Sequence, residues 1–144
     1  MSEIIVRKII AADLSNGFLE SLDALKKTSN MDRKRAFSVL EKISQNPNHV
    51  IFVAVYNDKV VGATTLLIEQ KFIHDGGKVG HIEDVAISKE FQSIGIGVMI
   101  IKEVLEYAKN QGCYKTILDC DEQVKPFYEK IGFSRHSNGM RFNH

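Results

Sequence analysis

Two kinds of apolar spacing alternate along this chain, and they divide it into strands and helices. "IIVRKII", close to the start, reads as a first strand. "HVIFVAVY" (49–56) reads as a second, and "NDK" makes a tight turn into a third, "VVGATTLLIEQKF" (60–72), the signature of a β-hairpin. Another turn at "HDGGK" leads into "VGHIEDVAI" (79–87), and "KTILDC" (115–120) is a later strand. Helical spacing fills the remainder. Leu14, Phe18, Leu22 and Leu25 recur at helical intervals in "DLSNGFLESLDALKKT" and predict one helix with Asp13 as its cap. A second helix is predicted to start at Asp32, turn Phe37, Leu40 and Ile43 inward and stop before Pro47. A third covers Gly97 to Asn110, with Gly112 just beyond its end. "VKPFYEKIGF" predicts a short helix with Pro126 in its first turn and Gly132 closing it. The tail "MRFNH" is expected to supply a last strand.

The order of these elements sets the class. Helices come first, then antiparallel hairpins, then one strand–helix–strand unit, which requires two parallel strands joined by a right-handed crossover. The expectation is a mixed α/β fold: a mainly antiparallel central sheet, flanked by helices, with one parallel unit. No repeat or Pro/Gly/Ser-rich linker divides the sequence, so residues 1–144 are read as a single domain, long enough to bury its own core.

Charge narrows the partners. Nineteen basic residues stand against eighteen acidic ones, for a formal charge of +1, so no broad basic field is available for nucleic acid or an anionic membrane. Arg7 and Lys8 interrupt the apolar run at the N-terminus, and the longest apolar stretch, around "VMII", is far too short to span a bilayer. A cytoplasmic location is expected. Cys113 and Cys120 make no disulfide framework and no metal-finger spacing, and they read as reduced thiols.

The candidate chemistry lies in "GHIEDVAISKEFQSIGIG", Gly80 to Gly97. Its second half places Gly95 and Gly97 between a strand and a helix. Glycines there allow positive φ and close backbone approach, and the first helical turn offers unpaired N–H groups suited to a phosphate. A P-loop would need Gly-Lys-Ser/Thr, but Val98 and Met99 follow Gly97. A dinucleotide fingerprint would need a third glycine where Ile100 stands, and "SKEFQS" separates the loop from its strand. Glycines that merely permit the turn are the bland alternative. Gln-x-x-Gly-x-Gly opening a long amphipathic helix instead resembles motif A of the GCN5-related N-acetyltransferases (GNAT superfamily), and "FYEKIGF" (127–133) resembles the next motif of that superfamily. From about Glu69 to Ser134, "KFIHDGGKVGHIEDVAI" and "GCYKTILDCDEQVKPFYEKIGFS" are similar to the eukaryotic-type glucosamine-6-phosphate N-acetyltransferases.

That resemblance implies a set of residues. Acetyl-CoA, as cosubstrate, would lie on the backbone of Gln92, Ser93, Ile94, Gly95, Ile96, Gly97 and Val98, with Lys130 also contacting it. Val85, Ala86 and Ile87 would bind its acetyl and pantetheine arm, and Tyr128 would stand beside its sulfur. Glu83 and Asp84 would contact the amino sugar, Lys71 and His74 its phosphate, and Asp119 would face the amine. The resemblance also implies a homodimer with sites built from both chains, a role in amino-sugar metabolism leading to UDP-N-acetylglucosamine, an arginine near the C-terminus for the phosphate, and a lysine or threonine contact in the first inter-helix loop, where "KKTS" (26–29) stands without a clear alignment. Alignment through Met140 places Asn143 at that arginine's position, with Arg141 two residues earlier.

Elementary chemistry weighs these roles. Acetyl transfer to an amine needs an unprotonated nucleophile, charge stabilisation on the carbonyl oxygen and a tolerable leaving group. Glu83 and Asp84 are neighbours on one strand, so alternation predicts opposite faces, and the apolar neighbours Ile82, Val85 and Ile87 predict a buried strand whose charges have partners. His74, His81, Glu83 and Asp84 follow no metal-ligand spacing, and direct transfer requires no metal. Cys120 lacks a paired histidine and reads as a small core residue rather than a nucleophile. Lys71 and His74 read equally as a polar hairpin end, Asp119 as a turn residue and Tyr128 as a packed aromatic. Two other functions remain open on sequence alone: acetylation of a different amine, and a non-catalytic acyl-CoA-binding module.

Overall fold

The structure, a computed structural model, describes residues 3–144. Its five strands form one sheet in the order β1 (Ile5–Lys8), β2 (His49–Tyr56), β3 (Lys59–Gln70), β4 (Lys78–Ile87) and β5 (Cys113–Ile117). Every pairing is antiparallel except β4 with β5, which is parallel across the helix α4 (Ile96–Asn110). The mixed α/β class and the single parallel unit are as the element order predicts. Between β2 and β3 the turn places Asn57 and Asp58 at φ of 51° and 60°, the left-handed pair that suits a two-residue hairpin.

Strict alternation along β2 builds both halves of the interior. Val50, Phe52 and Ala54 face one core with Leu66, Ile82 and the α4 side chains Ile96, Ile100, Ile101 and Val104. Ile51 and Val53 face the other, with Leu14, Phe18, Leu19 and Ala36. Each fully buried isoleucine of α4 contributes roughly 1.5–3 kcal/mol by leaving water, so this helix is fixed by its apolar face. The short α5 (Lys125–Ile131) closes the same side, with Pro126 in its first turn and Gly132 at φ 123° after its last.

The first predicted helix is two pieces. A 3-10 turn covers Ala11–Ser15, Gly17 takes φ 99°, and α1 covers only Phe18–Leu22. A Cβ at Gly17 would collide with the Val60 carbonyl, so the chain bends where it crosses the β2–β3 hairpin end. Leu25 therefore lies past the helix and is exposed. Asp13 is no N-cap. It sits inside the 3-10 turn, accepts from the Ile10 N–H at 2.8 Å and takes both Arg7 nitrogens at 2.8 and 2.9 Å. The second helix, α2 (Arg33–Ser44), does start after Asp32, whose carboxylate accepts from the Arg35 N–H at 3.2 Å. Its inward face holds Ala36, Leu40 and Ile43, whereas Phe37 is half-exposed, contrary to the predicted face.

Two ends also differ. β5 starts at Cys113 and stops at Ile117 rather than running to Cys120, because its pairing with β4 ends at His81 opposite Ile117. The tail forms no strand on its own chain: residues 134–144 carry no regular structure and are exposed, Met140 and Phe142 among them.

Candidate active site

The site is built from an irregularity in β4. Ala63 pairs with Ala86 and Thr65 with Glu83, so Asp84 and Val85 together oppose Thr64 alone. Asp84 takes φ 52°, the left-handed conformation of a β-bulge. The extra residue switches the alternation. Ile82 before it and Val85 and Ile87 after it all pack towards the α4 core. Asp84, which plain alternation would aim into that core, instead joins Glu83 on the opposite side. Both acids are exposed and both line one cavity of about 420 Å³ between the sheet and α1–α2. The expectation of opposite faces and partnered charges is overturned by the bulge; among the described residues neither carboxylate has an ion-pair partner. Thr64, almost fully buried, donates to the Glu83 carbonyl at 3.0 Å and steadies the kink.

Polar residues continue from the acids along the same sheet face. His81 stands two residues before Glu83, about 7 Å along the strand. Its Nε2 meets Glu69 Oε1 at 2.9 Å, and the same Glu69 oxygen pairs with Lys71 Nζ at 3.2 Å. Glu69 is held below the usual glutamate range by its His81 and Lys71 hydrogen bonds. Lys71 is thus drawn back along the face that carries Glu83. His74 is not: at the hairpin end, in a one-turn element α3 (Ile73–Gly76) with left-handed His74 and Asp75, its ring stacks on Tyr114 of β5 with centroids 4.1 Å apart.

A second opening lies on the other edge of β4. Beyond His81 and Ile117 the two parallel strands part, so Ile82–Ile87 have no β5 partner. The loop after β4 is pinned back to it by the Gln92 amide, which donates to the Ile87 carbonyl at 3.0 Å. Ser93 and Gly95 take φ of 69° and 91°, and Gly95 becomes the N-cap of α4. No side chain caps this helix and no acid stands in its first turn, so the first amides of Ile96, Gly97 and Val98 are left for an anion. A Cβ on Gly95 would meet nothing within 4 Å, so the outer face of the loop is open. Gly97 differs: its Cβ would touch the Phe127 ring at 3.1 Å, which makes it a packing glycine between α4 and α5.

Tyr128 belongs to the core against which Val85, Ile87 and Leu118 pack. It is buried to 8% exposure, edge-on to Phe127 and Phe133 at 4.9 and 5.7 Å. Its hydroxyl has no hydrogen-bond partner among the described residues, yet it is not sealed from solvent. Burial, and secondarily the nearby Cys120, push its pKa above the usual tyrosine value. Cys120 and Asp119 are exposed beyond the end of β5, which corrects the reading of Cys120 as a core residue. The Asp119 carboxylate lies beside Gly139 of the tail, and Lys130 is exposed on α5. Arg141 Nε donates to Asn143 Oδ1 at 2.7 Å, so the two tail positions considered for phosphate contact bind each other.

Of the "KKTS" segment in the first inter-helix loop, Thr28 lines the cavity and the exposed Lys26 and Lys27 do not; the cavity also uses residues that the sequence did not single out, Met31 between α1 and α2 and Thr64, Thr65 and Leu67 on β3. The β3 threonines were accessible through the hairpin register, which puts Thr65 opposite Glu83; Met31 carries no comparable signal.

Comparison with known proteins gives consistent matches. The profile of the Acetyltransferase (GNAT) family matches residues 13–133. A glucosamine 6-phosphate N-acetyltransferase of Arabidopsis thaliana is 36% identical over 138 residues, which cover 94% of this chain and 93% of that protein. One of Trypanosoma brucei brucei is 42% identical over 85 residues, 59% of this chain and 58% of that protein. The crystal structure of glucosamine-6-phosphate N-acetyltransferase from Arabidopsis thaliana superposes with a TM-score of 0.92 at 34% identity, over 98% of each chain.

Proposed function

Because the chain belongs to the acetyltransferase (GNAT) family, we propose that it transfers acetyl from acetyl-CoA to the amine of glucosamine 6-phosphate, by direct attack in a ternary complex. The product is N-acetylglucosamine 6-phosphate, an intermediate on the way to UDP-N-acetylglucosamine in the cytoplasm. The observation that carries this reading is the bulge at Asp84, which sets two carboxylates in one cavity while leaving the opposite edge of the same strand open. The names of the relatives support the choice of acceptor.

Each residue has a task that follows from its place. The bare amides at the start of α4, with Ser93 and Gly95 turning the loop, receive the pyrophosphate of the cosubstrate. The unpaired edge of Val85–Ile87 bonds the pantetheine arm as a missing strand would, and a β4 N–H there polarises the thioester carbonyl. Glu83 and Asp84 hold the sugar hydroxyls and the ammonium, and an amine that has given up its proton to a carboxylate or water becomes the nucleophile. Lys71, on the same face, takes the acceptor phosphate as a point charge. The Tyr128 hydroxyl, kept protonated by burial, donates to the departing sulfur. Residues 1–144 act as one catalytic domain within a homodimer.

A thiol-release assay tests the assignment. With acetyl-CoA, glucosamine 6-phosphate is expected to release CoA faster than glucosamine, glucosamine 1-phosphate or polyamines. If the sugar phosphate does no better than unphosphorylated glucosamine, the acceptor is wrong. If no amine is acetylated although CoA binds, the protein is a binding module.

A further inference from the structure

The connection between α1 and α2, residues 24–31, has no regular structure, yet it supplies a wall of the cavity that holds Glu83 and Asp84. Its outer half, Ala24 to Lys27, is exposed, while Thr28, Ser29 and Met31 are half-buried and Thr28 and Met31 line the cavity. Such a segment needs something to hold its inner half against the sheet. Its own backbone bonds are local: Leu25 and Lys26 return to Leu22, and Met31 returns to Thr28. None of these ties the Thr28 end to α1.

One carboxylate makes that tie. Asp23 closes α1, and its Oδ1 accepts from the Thr28 N–H at 2.6 Å and from the Ser29 N–H at 2.8 Å. Lys27 Nζ lies 3.7 Å from the other oxygen, and the Thr28 hydroxyl donates to the Lys26 carbonyl at 2.7 Å. The segment is thereby folded into a closed ring from residue 23 to residue 29, with Thr28 turned to the cavity. Hydrogen bonds to the ionised form, from Ser29 first and then from the Thr28 and Ser29 amides, lower the Asp23 pKa to about 2. The tie is present throughout the working pH range.

We propose that Asp23 is a positioning residue for the acceptor: by clamping the Thr28 and Ser29 amides it holds the cavity wall that faces Glu83 and Asp84. This rests on the reading of that cavity as the acceptor site. Asp23 does not itself line the cavity but bonds Thr28, which does, so its effect falls on acceptor binding and spares acetyl-CoA.

The test uses Asp23→Ala, which removes the clamp, and Asp23→Asn, which keeps a carbonyl oxygen able to accept both amides. Kinetics are read on whichever amine the wild type acetylates, and amide hydrogen exchange is followed at residues 24–31. Asp23→Ala is expected to raise the acceptor KM about tenfold or more, the scale of losing hydrogen bonds to a charged group. It is also expected to speed exchange at Thr28 and Ser29, while KM for acetyl-CoA and the thermal midpoint move little. Asp23→Asn is expected to restore the acceptor KM to within about threefold of the wild type. An unchanged acceptor KM in Asp23→Ala overturns the proposal, as does a parallel rise in both KM values, which signals general loosening. If the wild type acetylates another amine and not the sugar phosphate, the choice of acceptor fails while the Asp23 comparison still reads out.

Discussion

Tyr128 shows how one residue can satisfy packing and chemistry together. Its ring is enclosed by Phe127 and Phe133, while its hydroxyl has no hydrogen-bond partner among the described residues and is not sealed from solvent. Burial and the neighbouring Cys120 raise its pKa, so the hydroxyl remains protonated well past neutral pH and is available as a donor where sulfur gathers charge. Tyr128→Phe keeps the ring contacts and deletes only that donor. The expected result is a kcat lower by about 10- to 100-fold with little change in CoA affinity. An unaltered kcat, measured where chemistry limits turnover, would assign Tyr128 to packing alone.

Among the elements, the junction of β1 with the 3-10 turn depends on an ion pair. Burial by itself would raise the pKa of Asp13, but the Arg7 hydrogen bonds, the Ile10 amide and the Arg7 charge outweigh it and hold the carboxyl below its usual value. Its contribution to stability is therefore complete above the unfolded carboxylate pKa, about 3.9, and is lost as pH falls through the lower folded value. Asp13→Asn is expected to cost about 2 kcal/mol at neutral pH, less than a fully sealed pair because water can reach Arg7. In urea titrations, the difference from the wild type should shrink below about pH 4. A pH-independent difference would mean that shape rather than charge supports the junction.

For the whole molecule, the tail is the element left over. Residues 134–144 place Met140 and Phe142 in solvent at 96% and 82% exposure, and β5 is an edge strand. Such an edge presents unpaired backbone groups that a further strand can take. For the proposed homodimer, the expected arrangement is a tail strand of one copy pairing with the second copy. Sedimentation at micromolar concentration is expected to give a dimer for the full chain and a monomer after removal of residues 134–144. A single 16.2 kDa species for the full chain would defeat the homodimer.

Local spacing was enough to determine much of this protein. Period-two alternation gave β2 its two faces, Asn57-Asp58 gave the hairpin, Asp32 gave the start of α2, and the glycines of the loop gave the open N-terminus of α4. Each of these depends on residues within a few positions of one another, where torsional preference and hydrogen bonding are local. Tertiary structure decided the rest. Nothing local announces that Gly17 must bend away from the Val60 carbonyl, or that Thr28 will meet β3 and β4 across the cavity. The acids are the clearest case. Their identity is legible in "HIEDVAI", but their common side is not. It comes from a bulge against Thr64, and a bulge is a property of two paired strands: one residue too many on β4, absorbed by Asp84 in a left-handed turn.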